Sequence, residues 1–329
     1  MSNQRLAYID MAKGIAIVLV VLGHILQYGF SGEPAFRCFS GIYSFHMPLF
    51  MFLSGYTVTR SRLDSWQNYK QFLVKRAYTL LIPFFSWGLI VDSLIINHDL
   101  SWSSVINLIQ HPDTGLWFLL SLFCLHLVYL VVVFISRIIP YGPEWLRDTV
   151  AVVGIIVLME VIYKTMGIQV LYYSRALFVL YFIGMLCSKY FPDFMMKKWI
   201  LVPMALAGLY LCSLYDYHAG NITLKTIISI CMSFSVMGIC RGLEEMADNE
   251  RMRHTLVLLG KSSLVIYIIH LYLLIKLFAY PMIDSSQLNA VSLFFWLILP
   301  AVFISLMCIY LGRIIASYKP FAFLFFGKK

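Results

Sequence analysis

Residues 10–30 read DMAKGIAIVLVVLGHILQYGF. From Gly14 to Phe30 this run contains no Asp, Glu, Lys or Arg and a single histidine, His24. A bilayer core about 30 Å thick is crossed by roughly 20 apolar residues in a helix, and the run from 8 to 30 has that length. No small-x-small cleavage site precedes the polar segment Ser31 to Glu33, so the segment reads as a retained first helix and not as a signal peptide. Further apolar runs bounded by charges, Pro, Gly and polar clusters lie near 41–59, 73–96, 115–136, 148–165, 175–190, 199–215, 223–241, 257–280 and 289–316, which makes ten with the first.

The whole composition agrees with that pattern. Of 329 residues 61% are hydrophobic and 12% charged, with a mean hydropathy of +0.82. Soluble domains carry about twice that charge, so soluble enzyme folds, collagen-like chains and disordered chains are excluded. The expected fold class is an all-α integral membrane protein, a bundle of about ten transmembrane helices forming a single polytopic domain over 1–329. The net charge of +9 is dispersed among apolar runs and forms no continuous basic stripe, which argues against a nucleic-acid partner. The seven cysteines lack C-x-x-C spacing and sit mostly inside apolar runs, so they read as buried thiols and not as a zinc site or disulfide framework; no metal is expected.

With the N-terminus in the cytoplasm, the far-side connections and helix ends hold only Arg37, Lys164, Arg175, Lys225 and Lys276, leaving 20 of the 25 basic residues inside. The positive-inside rule then gives an N-in, C-in topology, which an even number of crossings requires.

Ionisable groups at membrane depth are costly and therefore informative. His24, His46, His270, Glu160 and Asp92 are of this kind. Lys13 and His24 are eleven residues apart, which at 100° per residue places them within about 20° of one another and about 16 Å apart along the axis. They share a stripe, with Asp10 one turn before Lys13 positioned to pair with it. Counted from the expected far-side helix ends, His24, His46 and His270 lie at a common depth of about 8–9 Å. Glu160, four residues before Lys164, is a proton partner or a hydrogen-bond acceptor. On the opposite side Arg60, Arg62, Lys70, Lys75 and Arg76 precede Pro83. Lys75 and Arg76 fall where a helix enters the membrane and suit an anionic ligand docking beside Lys13. A polyanion with a long uncharged arm, phosphates on the basic rim and its reactive end about 16 Å deeper near His24, fits that spacing. Acyl-coenzyme A has that shape.

Four motifs in order resemble the acyltransferase-3 family of integral membrane O-acyltransferases. They are Asp10-x-x-Lys13-Gly14 with Gly23-His24; the segment Phe45-His46-Met47-Pro48 continuing to Ser54-Gly55-Tyr56; Leu116-Trp117-Phe118-Leu119; and Leu259-Gly260-Lys261-Ser262-Ser263-Leu264 with Ile266, Tyr267 and His270. The His-Met-Pro form is similar to the fucose 4-O-acetylase-like branch. Where family members often carry a second arginine before the helix-three proline, this chain has Thr79 and Leu80. The resemblance implies transfer of an acyl group, usually acetyl from cytoplasmic acetyl-CoA, to a hydroxyl of a cell-surface glycan or lipid-linked sugar, in the inner (plasma) membrane of a bacterium. A neutral imidazole can take the proton of a sugar hydroxyl as it attacks the thioester. His24 is the expected general base, and His46 orients the acceptor or relays the proton. Acylation of His24 itself is a second route. Trp117, Glu160, Tyr267 and His270 are expected to line the acceptor site, with packing an equal reading for Trp117 and Tyr267. The competing class is a proton-coupled transporter or exporter that uses the buried histidines as a relay. Such proteins tend to show repeated halves, which this sequence lacks.

Overall fold

The computed structural model describes residues 6–61, 63–96, 101–110, 116–167, 169–192, 197–246, 250–277 and 283–328, with side chains for all of these except 92, 94–96, 169–176, 198 and 275–277. Arg62 lies outside the described residues, and Asp92, Arg175 and Lys276 lie outside the described side chains. The described chain is almost entirely helical and divides into two units, Met1–Leu53 with Phe191–Arg313, and Ser54–Tyr190 with Ile314–Lys329. Among the described residues six helices are long and apolar enough to cross a membrane, or seven if one bent pair counts as a span.

The first unit is built on α1 (Ala7–Gly29) and α2 (Glu33–Val58, whose last turn passes into the second unit), with α9 (Lys198–Leu214), α10 (Ile222–Glu245), α11 (Glu250–Lys261), α12 (Ser263–Leu277) and α13 (Ala290–Ala316). α1 is the core helix, with Met11, Ala12, Ala16, Ile17, Val21 and Ile25 fully buried. Without water to expel, helices in lipid associate by close packing of small residues. A Cβ on Gly14 would strike the Leu256 carbonyl and one on Gly260 the Asp10 carbonyl, so these glycines set the α1–α11 crossing. α11 and α12 then diverge by 76° at Ser262, which is where the Gly260-Lys261-Ser262-Ser263 motif falls.

Two devices set how α1 and α2 face one another. Between them Gly32 adopts φ +89°, a left-handed conformation that L side chains rarely adopt. Phe30–Ser31 (β1) pairs in parallel with Ile283–Asp284 (β2), and Ser285 Oγ donates to the Ser31 carbonyl at 2.6 Å while accepting from the Ala35 amide at 3.1 Å. Within α2, Pro48 has no N–H for the carbonyl of Ser44, four residues back. Ser229 Oγ of α10 reaches that freed carbonyl at 2.8 Å, sharing its one hydrogen with the Lys225 carbonyl at 2.7 Å. The proline and its serine partner thus anchor the turn that carries His46.

In the second unit, α3 (Trp66–Arg76) runs through a π-helical turn (Ala77–Leu81), α4 (Ile82–Ser86) and a second π-helical segment (Trp87–Ile96). Then follow α5 (Trp102–Gln110), α6 (Trp117–Ile138), α7 (Glu144–Met166) and α8 (Gln169–Tyr190), with α14 (Lys319–Phe326) at the end. Between the apolar runs the chain is helical over Trp66–Arg76 and Trp102–Gln110, and Ser65 caps α3 by accepting from the Asn68 amide at 3.3 Å. Gly55 lets α2 approach the Tyr181 backbone, a small-residue contact and not a nucleophile elbow. Asp148 is buried and accepts from Ser136 Oγ at 2.5 Å, Lys189 Nζ at 2.7 Å and Tyr190 Oη at 2.7 Å, which ties α6, α7 and α8 together.

Candidate active site

Within the first unit three helices bring their polar groups together. α1 contributes His24 and Gln27, α2 contributes Tyr43 and His46, and α12 contributes Tyr267 and His270. The rings of His24 and His270 lie 5.2 Å apart between centroids, tilted by 40°. Tyr43 stands between the other pair, its ring 6.2 Å from His24 and 4.7 Å from His46. Its hydroxyl donates to Gln27 Oε1 at 2.8 Å and lies 3.2 Å from His24 Nδ1, which in turn is 3.0 Å from Gln27 Oε1. Tyr267 faces His270 at 6.0 Å.

The protonation pattern of two of these histidines follows from their partners. A carbonyl oxygen only accepts, so His46 Nδ1, 2.8 Å from the Ile42 carbonyl, and His270 Nδ1, 2.9 Å from the Ile266 carbonyl, both carry hydrogen. In the neutral ring each Nε2 is then a lone pair. That of His270 is fully buried and has no hydrogen-bond partner among the described residues. A buried acceptor without a donor costs about 1–3 kcal/mol, which a ligand hydroxyl would recover.

An aromatic wall adjoins this group. Phe39 stacks on Tyr43 at 4.0 Å, Tyr217 packs against both at 5.1 and 5.6 Å, and His218 lies flat on Phe36 at 5.0 Å. Tyr217 thus joins the wall of this cluster.

Lys13 is half-buried on α1 and Asp10 is buried one turn before it, both with interactions of their own. The remaining expected residues belong to the second unit. Lys75 and Arg76 occupy the last turn of α3, where cations suit the carbonyl end of a helix. Lys75 is exposed, and Arg76 is half-buried with its guanidinium 5.2 Å over the Phe72 ring. Trp117 opens α6 and packs edge-on against Phe118. Glu160 is half-buried and 3.5 Å from Lys164 Nζ. Among the described residues no group of three potential metal ligands occurs.

Sequence reasoning passed over Gln27 and Tyr43. Each stands three residues from a chosen histidine, the spacing that puts side chains on one face of a helix, and that was the available signal. It also passed over His126, a fourth histidine within an apolar run. His126 donates from Nδ1 to the Leu122 carbonyl at 2.6 Å and packs against Phe72 and Tyr181 in the second unit.

Several helices long and apolar enough to cross a membrane, with three imidazoles clustered between α1, α2 and α12, define the class as a multi-pass membrane protein. Residues 6–311 match the family described as "Acyltransferase domain", and the chain belongs to that family. It is 41% identical over 97 residues to Nodulation protein NolL of Mesorhizobium japonicum, which covers 28% of this chain and 26% of that protein. It is 38% identical over 99 residues to Nodulation protein NolL of Sinorhizobium fredii, again 28% of this chain and 26% of the relative. The chain thus aligns with 26% of the length of these curated relatives. No solved structure matches it.

Proposed function

We propose that the protein is a membrane-embedded O-acetyltransferase of the fucose 4-O-acetylase-like branch. It moves an acetyl group from cytoplasmic acetyl-CoA to a hydroxyl of a cell-surface glycan or lipid-linked sugar in the bacterial inner membrane. In this reading residues 1–329 act as one catalytic domain that crosses the bilayer ten times with both termini in the cytoplasm. The single observation that carries it is the pairing of His24 with His270, whose buried Nε2 lacks a donor, in a chain of the acyltransferase family.

In the reaction, His24 removes the proton of the sugar hydroxyl as its oxygen forms a bond to the thioester carbonyl carbon. The carbon–sulfur bond breaks, the thiolate of coenzyme A leaves, and the proton on His24 passes to it. His270 Nε2 and His46 Nε2 accept hydrogen bonds from the sugar, and Tyr267 and the Phe39–Tyr217 wall offer aromatic faces to its C–H surface. Lys13, on the same stripe of α1 and about 16 Å below His24, meets the donor phosphates. Lys75 and Arg76 keep the donor-binding role that their place in the sequence suggests, and Trp117 and Glu160 that of acceptor-site residues.

Membranes containing the protein, supplied with acetyl-CoA labelled in the acetyl group, are expected to transfer label to the glycan fraction. His24→Ala should abolish transfer at unchanged protein level, because the change removes a polar group from lipid. Full transfer by His24→Ala would defeat the assignment of the base. Absence of both acetyl-CoA binding and use by the wild type would favour a proton-coupled transporter.

A further inference from the structure

We propose that Gln27 and Tyr43 are positioning residues that hold His24 in its Nδ1–H tautomer, leaving Nε2 as the basic nitrogen; the functional consequence rests on His24 being the base.

Three other helical histidines, His46, His126 and His270, donate from Nδ1 to the carbonyl four residues back, so the backbone fixes their tautomers. At His24 the Nδ1 partners are side chains, Gln27 Oε1 at 3.0 Å and Tyr43 Oη at 3.2 Å. An amide oxygen only accepts. The phenol has one hydrogen, and it is committed to that same oxygen at 2.8 Å. Tyr43 therefore presents lone pairs to His24. Both neighbours of Nδ1 are acceptors, and Nδ1 must carry the hydrogen.

The surroundings hold this arrangement in place. Gly23, beside the histidine, leaves room for the phenol: a Cβ there would stand 2.8 Å from Tyr43 Cε2. The Phe39 ring, 4.0 Å from that of Tyr43, backs it from within α2. When Nε2 takes a proton, Nδ1–H still has its two acceptors, so the imidazolium is stabilised by neutral dipoles and not by a carboxylate. It remains acidic enough to surrender the proton to a departing thiolate. A histidine base fails when the wrong nitrogen carries the hydrogen, which gives these two uncharged residues a part in rate without contact with either substrate.

The test uses the full-length protein in lipid nanodiscs with 15N-labelled histidine, the His24 signals being identified by their loss in His24→Gln. Wild type is expected to show His24 protonated at Nδ1 and bare at Nε2. Gln27→Leu, close to the native shape, should shift the population towards Nε2–H and lower kcat about ten- to a hundredfold with KM for acetyl-CoA unchanged. Gln27→Glu should keep the Nδ1–H form and move the acid limb of the pH profile upward, because a carboxylate favours the imidazolium. An Nε2–H tautomer in wild type, or a Gln27→Leu spectrum identical to it, overturns the proposal. The outcome is separable from the reading it rests on: tautomer is read by NMR, the role of base by the turnover of His24→Ala.

Discussion

Substitution of Gly23 by alanine tests the site through a single methyl group. Built on the backbone, the new Cβ lies 2.8 Å from Tyr43 Cε2, 3.4 Å from Cδ2 and 3.5 Å from Ile42 Cγ2. Carbon atoms rest at about 3.5–4.0 Å, so the phenol ring must retreat by about 0.7–1.2 Å. Its hydroxyl is 2.8 Å from Gln27 Oε1 and 3.2 Å from His24 Nδ1, and a retreat of that size carries both beyond hydrogen-bond reach. The overpacking costs about 1–3 kcal/mol of stability. Misplacing a catalytic group by about 1 Å costs up to a hundredfold in rate, and a loss of ten- to a hundredfold is expected within that bound, about 1.4–2.7 kcal/mol of activation free energy. Acetyl transfer to the membrane glycan fraction, normalised to folded protein, is the readout, and a double-mutant cycle isolates the cause. In a Tyr43→Ala background the space is already open, so adding Gly23→Ala should cost nothing further. Equal losses in both backgrounds would show that the glycine acts by some route other than the phenol.

Ser229→Ala should strand the Ser44 carbonyl and lower stability by about 1–3 kcal/mol, and the loss should shrink in a Pro48→Ala background, where the restored amide serves that carbonyl; thermal unfolding in detergent checks both. Gly260→Ala, whose methyl would enter the Asp10 carbonyl, should prevent α11 from closing on α1 and reduce the yield of folded protein. Gly154→Ala, with nothing within 4 Å of its Cβ, should be neutral or slightly stabilising by size-exclusion profile. Asp148→Asn should reduce thermal stability by about 1–3 kcal/mol, discounted because Lys189 is partly exposed, while leaving KM for acetyl-CoA unchanged.

The length of the apolar runs was enough to read the membrane class, and α1 is helical from Ala7 to Gly29, as the Lys13–His24 stripe requires. What the runs left unread depended on partners remote in sequence. Pro48 looks like a kink until Ser229, 181 residues later, is seen to serve the carbonyl it frees. Tyr43 reads as one more aromatic in an aromatic-rich helix, because only the approach of α1 shows that its hydroxyl meets Gln27. Gln27 is exposed and uncharged, so no cost of burial marked it, whereas the histidines stood out through that cost. His126 carried the same signal as the chosen histidines and was missed for want of a neighbouring motif.

The arrangement of hydrogens also bears on the proposed substrate. His46 and His270 spend their N–H groups on backbone carbonyls, and the Tyr43 hydrogen goes to Gln27, so the second ring nitrogens of these two histidines meet a ligand as acceptors. A thioester carbonyl offers no donor and gains nothing from these two nitrogens, whereas an alcohol brings a hydrogen and a vicinal diol brings two. In the proposed reaction these two nitrogens suit the nucleophile. The developing oxyanion of the proposed reaction needs a donor other than these nitrogens, and a cation, an amide or a hydroxyl near the thioester is what a structure with bound donor should reveal.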